Sequence, residues 1–216
     1  MKKILPILIL GAAMLIAGCS KKNNPGPSAS ADSYFPVSSG SSWNYNIVAN
    51  GTTSQLTITM TGATSLIAGK TYYAFTSNSS TQGTTSGFFY AANHSYALHA
   101  SSVINHIVME LQLGNDEQNA GYTWTTNPTD NGAINGVPAK TVNTIKEKNV
   151  TKVENGKTFN NVIHTQVDLQ YDLGTGFQSV AIYDIYLAKG VGMIEIDATV
   201  SGLPYEVQTI TGYTIK

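Results

Sequence analysis

From residue 34 onward, apolar and polar side chains alternate with a period of two. Leu56, Ile58 and Met60 alternate with Thr57, Thr59 and Thr61, and Ile107, Met109, Leu111 and Leu113 alternate with Val108, Glu110 and Gln112. Ile163, Thr165, Val167, Leu169 and Tyr171 alternate with His164, Gln166, Asp168 and Gln170. Each run is the signature of a strand buried on one face. Turn signals separate them at Asn50-Gly51, Ala68-Gly69, Asn93-His94, Asn155-Gly156, Gly174-Thr175-Gly176 and Ser201-Gly202-Leu203-Pro204. Their spacing predicts about ten or eleven antiparallel strands. Helical periodicity is almost missing. Asn143 to Val153 comes nearest, but Val142, Thr144 and Ile145 are β-branched, so a strand is expected there. A short helix or turn is expected around Asn115 to Ala120.

Residues 178–187 break the alternation. Phe177, Ala181, Tyr183, Ile185 and Leu187 share one face, and Val180, Ile182 and Tyr186 share the other. A strand apolar on both faces sits inside a sandwich, or in a curved sheet whose concave side is covered or lines a cavity. The expected fold is all-β, a single domain curled into an open barrel or half-barrel, with a β-sandwich as the alternative.

The first residues follow a different pattern. Lys2 and Lys3 precede an apolar run from Ile4 to Ile16, and Leu15-Ile-Ala-Gly-Cys19 ends it. A positive end, an apolar stretch and small residues before a cut are the parts of a secretory signal. The run is shorter than the roughly 20 residues that span a bilayer. This segment resembles bacterial lipoprotein signals, in which the Cys becomes the new N-terminus and carries acyl chains. The resemblance implies that residues 1–18 are removed, that Cys19 is lipidated, and that the chain is anchored in the cell envelope. Ser20, in place of a retaining Asp, points to the outer membrane. Residues 19–33 are rich in Asn, Pro, Gly and Ser and form a tether spanning on the order of 20 Å. The folded body is expected over residues 34–216.

Cys19 is the sole cysteine, so the body has neither a disulfide framework nor a thiolate nucleophile and depends on its core. Charged residues make up 12% of the chain, with no Arg. The formal charge of −1 becomes about −3 once Lys2 and Lys3 are removed. Lacking Arg forks and any basic stripe, the chain is not expected to bind nucleic acid or nucleotides. Two Gly-Lys-Thr triplets, at residues 69–71 and 156–158, lack the earlier glycine of a phosphate loop, because Thr64 and Thr151 stand there. Both triplets also open strands rather than helices.

No metal site is expected, since His94, His99, His106 and His164 have neither zinc-protease spacing nor cysteine partners. No nucleophile elbow occurs. Glu110, Asp168, Glu195 and Asp197 fall on the polar sides of their strands, with His106 and His164 in matching parity. Paired carboxylates can hydrolyse glycosidic bonds, but a solvated outer face gives the same rows and is the first reading. Asp184 differs, because Ile182 and Tyr186 flank it on its face. If buried, it needs partners or a raised pKa.

Three short signatures carry a further resemblance. They are Tyr34-Phe35-Pro36 with Gly40-Ser-Ser-Trp43-Asn-Tyr45, then Gly121-Tyr122-Thr123-Trp124 with residues 155–162, and lastly Tyr186-Leu-Ala-Lys-Gly-Val-Gly192-Met-Ile194. Together they resemble β-rich secreted lipoproteins of bacteroidete-type bacteria. That resemblance implies an exported β domain, sometimes likened to the half-barrels of lipoprotein carriers, and brings no catalytic residues. Core anchoring is the first reading of Trp43, Tyr45 and Trp124, and ligand contact the second. Gly190 and Gly192 are expected to form a turn or bulge.

The chain is therefore expected to be a non-enzymatic, lipid-anchored envelope protein without a cofactor. Its expected partner is an apolar or amphipathic ligand or another envelope protein. Trp43, Tyr45, Trp124, Tyr183 and Asp184 are the candidate cavity. A glycan-binding module, motivated by twelve tyrosines, is the alternative, and a carboxylate hydrolase the second alternative.

Overall fold

A computed structural model describes residues 33–101 and 108–216. The signal, Cys19, the tether before Ser33, His106 and Ile107 lie outside the described residues. The elements, all strands, are β1 (Ser42–Ala49), β2 (Thr52–Ile67), β3 (Lys70–Ser79), β4 (Gly83–Ala92), β5 (Ser95–Ser101), β6 (Val108–Asn115), β7 (Thr123–Thr126), β8 (Ala133–Ile134), β9 (Val137–Glu154), β10 (Lys157–Asp172), β11 (Phe177–Ala188), β12 (Gly192–Val200) and β13 (Leu203–Thr214). Twelve of them form one antiparallel sheet in the order β6-β5-β4-β3-β2-β1-β13-β12-β11-β10-β9-β7, and β8 adds to β9. Two meanders thus run outward from a centre where the first strand pairs with the last. The sheet curls into a half-barrel.

Turn chemistry explains the tight hairpins. Asn50-Gly51 has φ of 48° and 75°, and Asn155-Gly156 has 47° and 75°. Positive φ at both central positions matches the twist of the flanking strands. Around Asn115 to Ala120 the chain forms bends and a turn rather than a helix. Asn143 to Val153 lies inside β9. The thirteen strands among the described residues exceed the expected number. The surplus includes β7 and β8, of four and two residues, too short to show a period.

The core lies between the two arms of the curl. Trp43, Leu113, Ile145, Ile163, Ile185 and Leu187 are all fully buried at 0% exposure. The segment before β1 plugs this space: the Phe35 ring lies 4.1 Å from that of Phe89 and 5.5 Å from that of Trp43. Strand β6 folds over the inner face of β10 and β11. A Cβ on Gly114 would sit 3.3 Å from Leu187 Cδ1 and from Thr165 Oγ1, so glycine is what permits this approach.

Strand β11 departs from the expected double burial. Ala181, Ile185 and Leu187 are buried, but Val180, Ile182 and Tyr186 are only half-buried. The cover over Tyr186 comes from the β9–β10 hairpin, whose Lys152 Nζ lies 3.8 Å from the ring centre. The strand therefore has one core face and one face partly roofed by charged side chains.

Candidate functional site

The two edges of the sheet, β6 and β7, come together. Glu110 N donates to Pro128 O at 2.8 Å, and residues 116–122 connect the edges directly. A groove runs along this seam. One part, about 380 Å³, is lined by Lys70, Tyr90, Gln112, Tyr122 and Trp124 among others, and an adjoining part, about 570 Å³, by Tyr72, His99, Pro128 and Asp130 among others. Lys70 and Glu110 belong to both. Each volume lies in the range of small-ligand sites.

Strand periodicity builds one wall. Lys70 and Tyr72 are two apart on β3, and Glu110 and Gln112 two apart on β6, so each pair shares a face. Register sets His99 opposite Glu110 and Ala97 opposite both Tyr90 and Gln112. On this wall, opposite to core residues Phe75 and Phe89, the polar groups interlock. Glu110 Oε1 accepts from Gln112 Nε2 at 2.8 Å and from Lys70 Nζ at 3.3 Å. Its Oε2 accepts from the Tyr72 hydroxyl. Burial, then the bond to Glu110, pushes the Tyr72 hydroxyl well above its usual pKa. Lys70 Nζ also lies 5.4 Å from the centre of the Tyr90 ring.

The other wall is aromatic. Trp124 on β7 is half-buried, and the Tyr122 ring stacks on it at 5.7 Å and 27°. Tyr122 is 42% exposed. The segment is fixed to β9, since Ile145 N donates to Tyr122 O at 2.9 Å and Asn143 Nδ2 to Trp124 O at 3.2 Å.

A second polar constellation covers the opposite face of β10–β12. His164 Nε2 and Asp184 Oδ1 are 2.7 Å apart, and Gln166 Nε2 donates to the same oxygen at 3.1 Å. The bond to His164 holds the Asp184 carboxyl below its ordinary pKa despite burial. The His164 ring stacks on Tyr186 at 4.3 Å. Next along the row, Lys152 Nζ bridges Glu154 at 3.1 Å and buried Glu195 at 3.0 Å. Burial, reinforced by the hydrogen bond with Glu154, raises the Glu195 carboxyl to about 8.

Four of the five residues expected to form one cavity belong to the core or pack against it, Trp124 and Tyr183 only in part. Trp43 and Tyr45 are core: Trp43 Nε1 donates to Val191 O at 2.6 Å and the Tyr45 hydroxyl to Met193 O at 2.9 Å. Phe35 and neighbouring side chains fill the space beside them. Tyr183 is half-buried against the core, and Asp184 lies on the face opposite Ile185, tied to His164. Of the five, only Trp124 reaches the groove. Of the carboxylates proposed for hydrolysis, only Glu110 lines the groove. Asp168 accepts from Ser179 and Gln170 at 2.6 Å each, while Glu195 sits under the Lys152 clasp. Among the described residues, no group of three or more His, Cys, Asp and Glu side chains is arranged to hold a metal ion.

The fold defines an all-β half-barrel with a groove where its edges meet. No known protein family and no curated protein matches the chain. Two crystal structures are similar. One is an inferred exported protein with a YmcC-like fold from Bacteroides fragilis, 8% identical, TM-score 0.52. The other is an inferred lipoprotein from Parabacteroides distasonis, 9% identical, TM-score 0.52. Each similarity covers 85% of this chain and 99% of the neighbour. At this identity the likeness establishes the fold alone.

Proposed function

We propose that the chain is an envelope protein, held at the outer membrane by lipid on Cys19, that binds a small ligand in the seam groove without transforming it. The observation that carries this reading is the groove itself, which sets a stacked aromatic wall against an interlocked polar one. The described interior is filled by Trp43, Tyr45, Phe35, Phe75 and Phe89, all at most 5% exposed. That favours the seam over the space inside the curl. On the opposite face Glu195, Asp184 and Asp168 are engaged with Lys152, His164, Gln170 and Ser179, and no catalytic step is assigned to them.

Two measurements test the reading. Cys19→Ser should move the protein out of the membrane fraction and remove the acyl mass, and unchanged fractionation with unchanged mass would overturn the anchor. Native mass spectrometry of the chain from Ser20, incubated with a small-molecule envelope extract, should show an adduct that Tyr122→Ala diminishes. An adduct indifferent to that change would place the ligand elsewhere.

A further inference from the structure

We infer that the groove ligand is a carbohydrate, bound as at least two consecutive neutral sugar residues. This rests on the reading of the groove as the ligand site and specifies its chemistry. A pyranose has a face of C–H groups and a rim of hydroxyls. The C–H face packs on electron-rich aromatic faces, and the rim needs donors and acceptors in fixed positions. The seam supplies both, on opposing walls.

The Trp124–Tyr122 pair is the platform. Its rings are nearly parallel and one is open to solvent, and backbone bonds from β9 hold the segment in place. Facing it, Glu110 is oriented by three separate donors, Lys70, Gln112 and Tyr72. Oε2, which accepts only from Tyr72, retains lone-pair capacity for a sugar hydroxyl, and an ammonium with three protons can serve a hydroxyl oxygen beside Glu110. Because these groups already orient one another, little side-chain entropy is lost on binding.

Charge selects among ligands. Among the described lining residues the one lysine, Lys70, is already paired with Glu110, and Asp130 adds negative charge nearby. A phosphate, sulfate or uronate would meet a neutral-to-negative surface with no Arg. An alkyl chain would strip water from the Lys70–Glu110 pair and return nothing to it. A neutral polyol satisfies both charges. Length follows from the shape: two adjoining volumes share Lys70 and Glu110, and the second has its own half-buried ring, His99, which lies 5.7 Å from that of buried Tyr72.

Fluorescence gives a direct test. The chain has two tryptophans; Trp43 is sealed in the core at 0% exposure, so emission that responds to a sugar reports Trp124. The chain from Ser20, which contains the whole sheet and its core, is titrated with neutral gluco-, manno-, galacto- and N-acetylhexosamine oligosaccharides of one to four residues, and with sulfated counterparts. At least one neutral series should shift the emission, with affinity rising at least tenfold from one residue to two and falling at least tenfold on sulfation. Trp124→Phe should remove the spectral response. Glu110→Gln and Tyr122→Ala should each weaken binding about tenfold or more, with unchanged circular dichroism. Tyr122 is exposed enough that its loss leaves the fold intact. If no neutral glycan binds while the extract adduct described above persists, the carbohydrate assignment falls and the groove reading stands. If both are absent, both fall. Preference for sulfated glycans, or a response surviving Trp124→Phe, also overturns the assignment.

Discussion

Glu195→Gln isolates the energetics of the clasp on the outer face. In the folded chain Glu195 is 7% exposed and touches Lys152, which also pairs with Glu154. Burial lifts its carboxyl from 4.5 to about 8. A carboxyl raised on folding binds its proton more tightly in the native state. Its contribution to stability is complete below the unfolded value and is lost as pH climbs through the folded one. At about 1.4 kcal/mol per tenfold change in proton affinity, the ceiling on this loss is about 5 kcal/mol. Local opening of the β9–β10 hairpin tip would admit water to the carboxylate and hold the loss below that ceiling. Gln mimics the neutral carboxyl, so the variant should match the parent near pH 5 and become relatively more stable toward pH 9. Denaturant unfolding at pH 5, 7 and 9 measures this. Asp184, held low by His164, is ionised throughout the window. Glu206, also raised by burial, is common to both chains and cancels. Parallel loss of stability in parent and variant would refute the argument.

Three packing changes probe the rest of the fold. Gly87→Ala would place a Cβ 2.5 Å from Phe75 Cζ and 3.1 Å from Ala100 Cβ, and should cost about 1–3 kcal/mol in chemical denaturation; an unchanged midpoint would refute the close contact. Phe35→Ala empties the plug between Trp43 and Phe89 and should cost about 3–5 kcal/mol, visible as a large fall in melting temperature. Tyr96→Phe removes a hydroxyl that donates to Asp116 at 2.6 Å and accepts from Tyr34 N at 3.2 Å. Its expected cost is about 1–3 kcal/mol, and faster hydrogen exchange at the Tyr34 amide would mark the lost partner.

Local chemistry made the strands legible. The Leu56 and Ile163 runs and the Asn50-Gly51 and Asn155-Gly156 turns all follow from side-chain period and backbone preference, and all appear in the structure. Burial of Trp43 and Tyr45 also agrees with core anchoring, the first reading of large aromatics beside Phe35. What the sequence hid was proximity between distant segments. Glu110 and Gln112 could be placed on a polar strand face, but nothing local says that this face meets Tyr122 and Trp124. That meeting depends on the closure of the curl, in which Gly114 settles against Leu187. The cover over Glu195 was hidden for the same reason. A positive φ of 52° at Asn161 and the register shifts around Val162 accompany the placement of the hairpin tip above β11 and β12, and alternation alone does not announce a bend.

The pairing of β1 with β13 at the middle of the sheet has a consequence for when the protein can fold. Each meander can zip from its own hairpins, but their apolar faces are completed only against each other. The strand synthesised last must therefore reach the strand synthesised first, across nearly the full length of the body. Closing so long a loop is slow, and it defers the gain in burial until the C-terminal strand is available. The topology thus works as a timer: the half-barrel is finished only once β13 has joined β1.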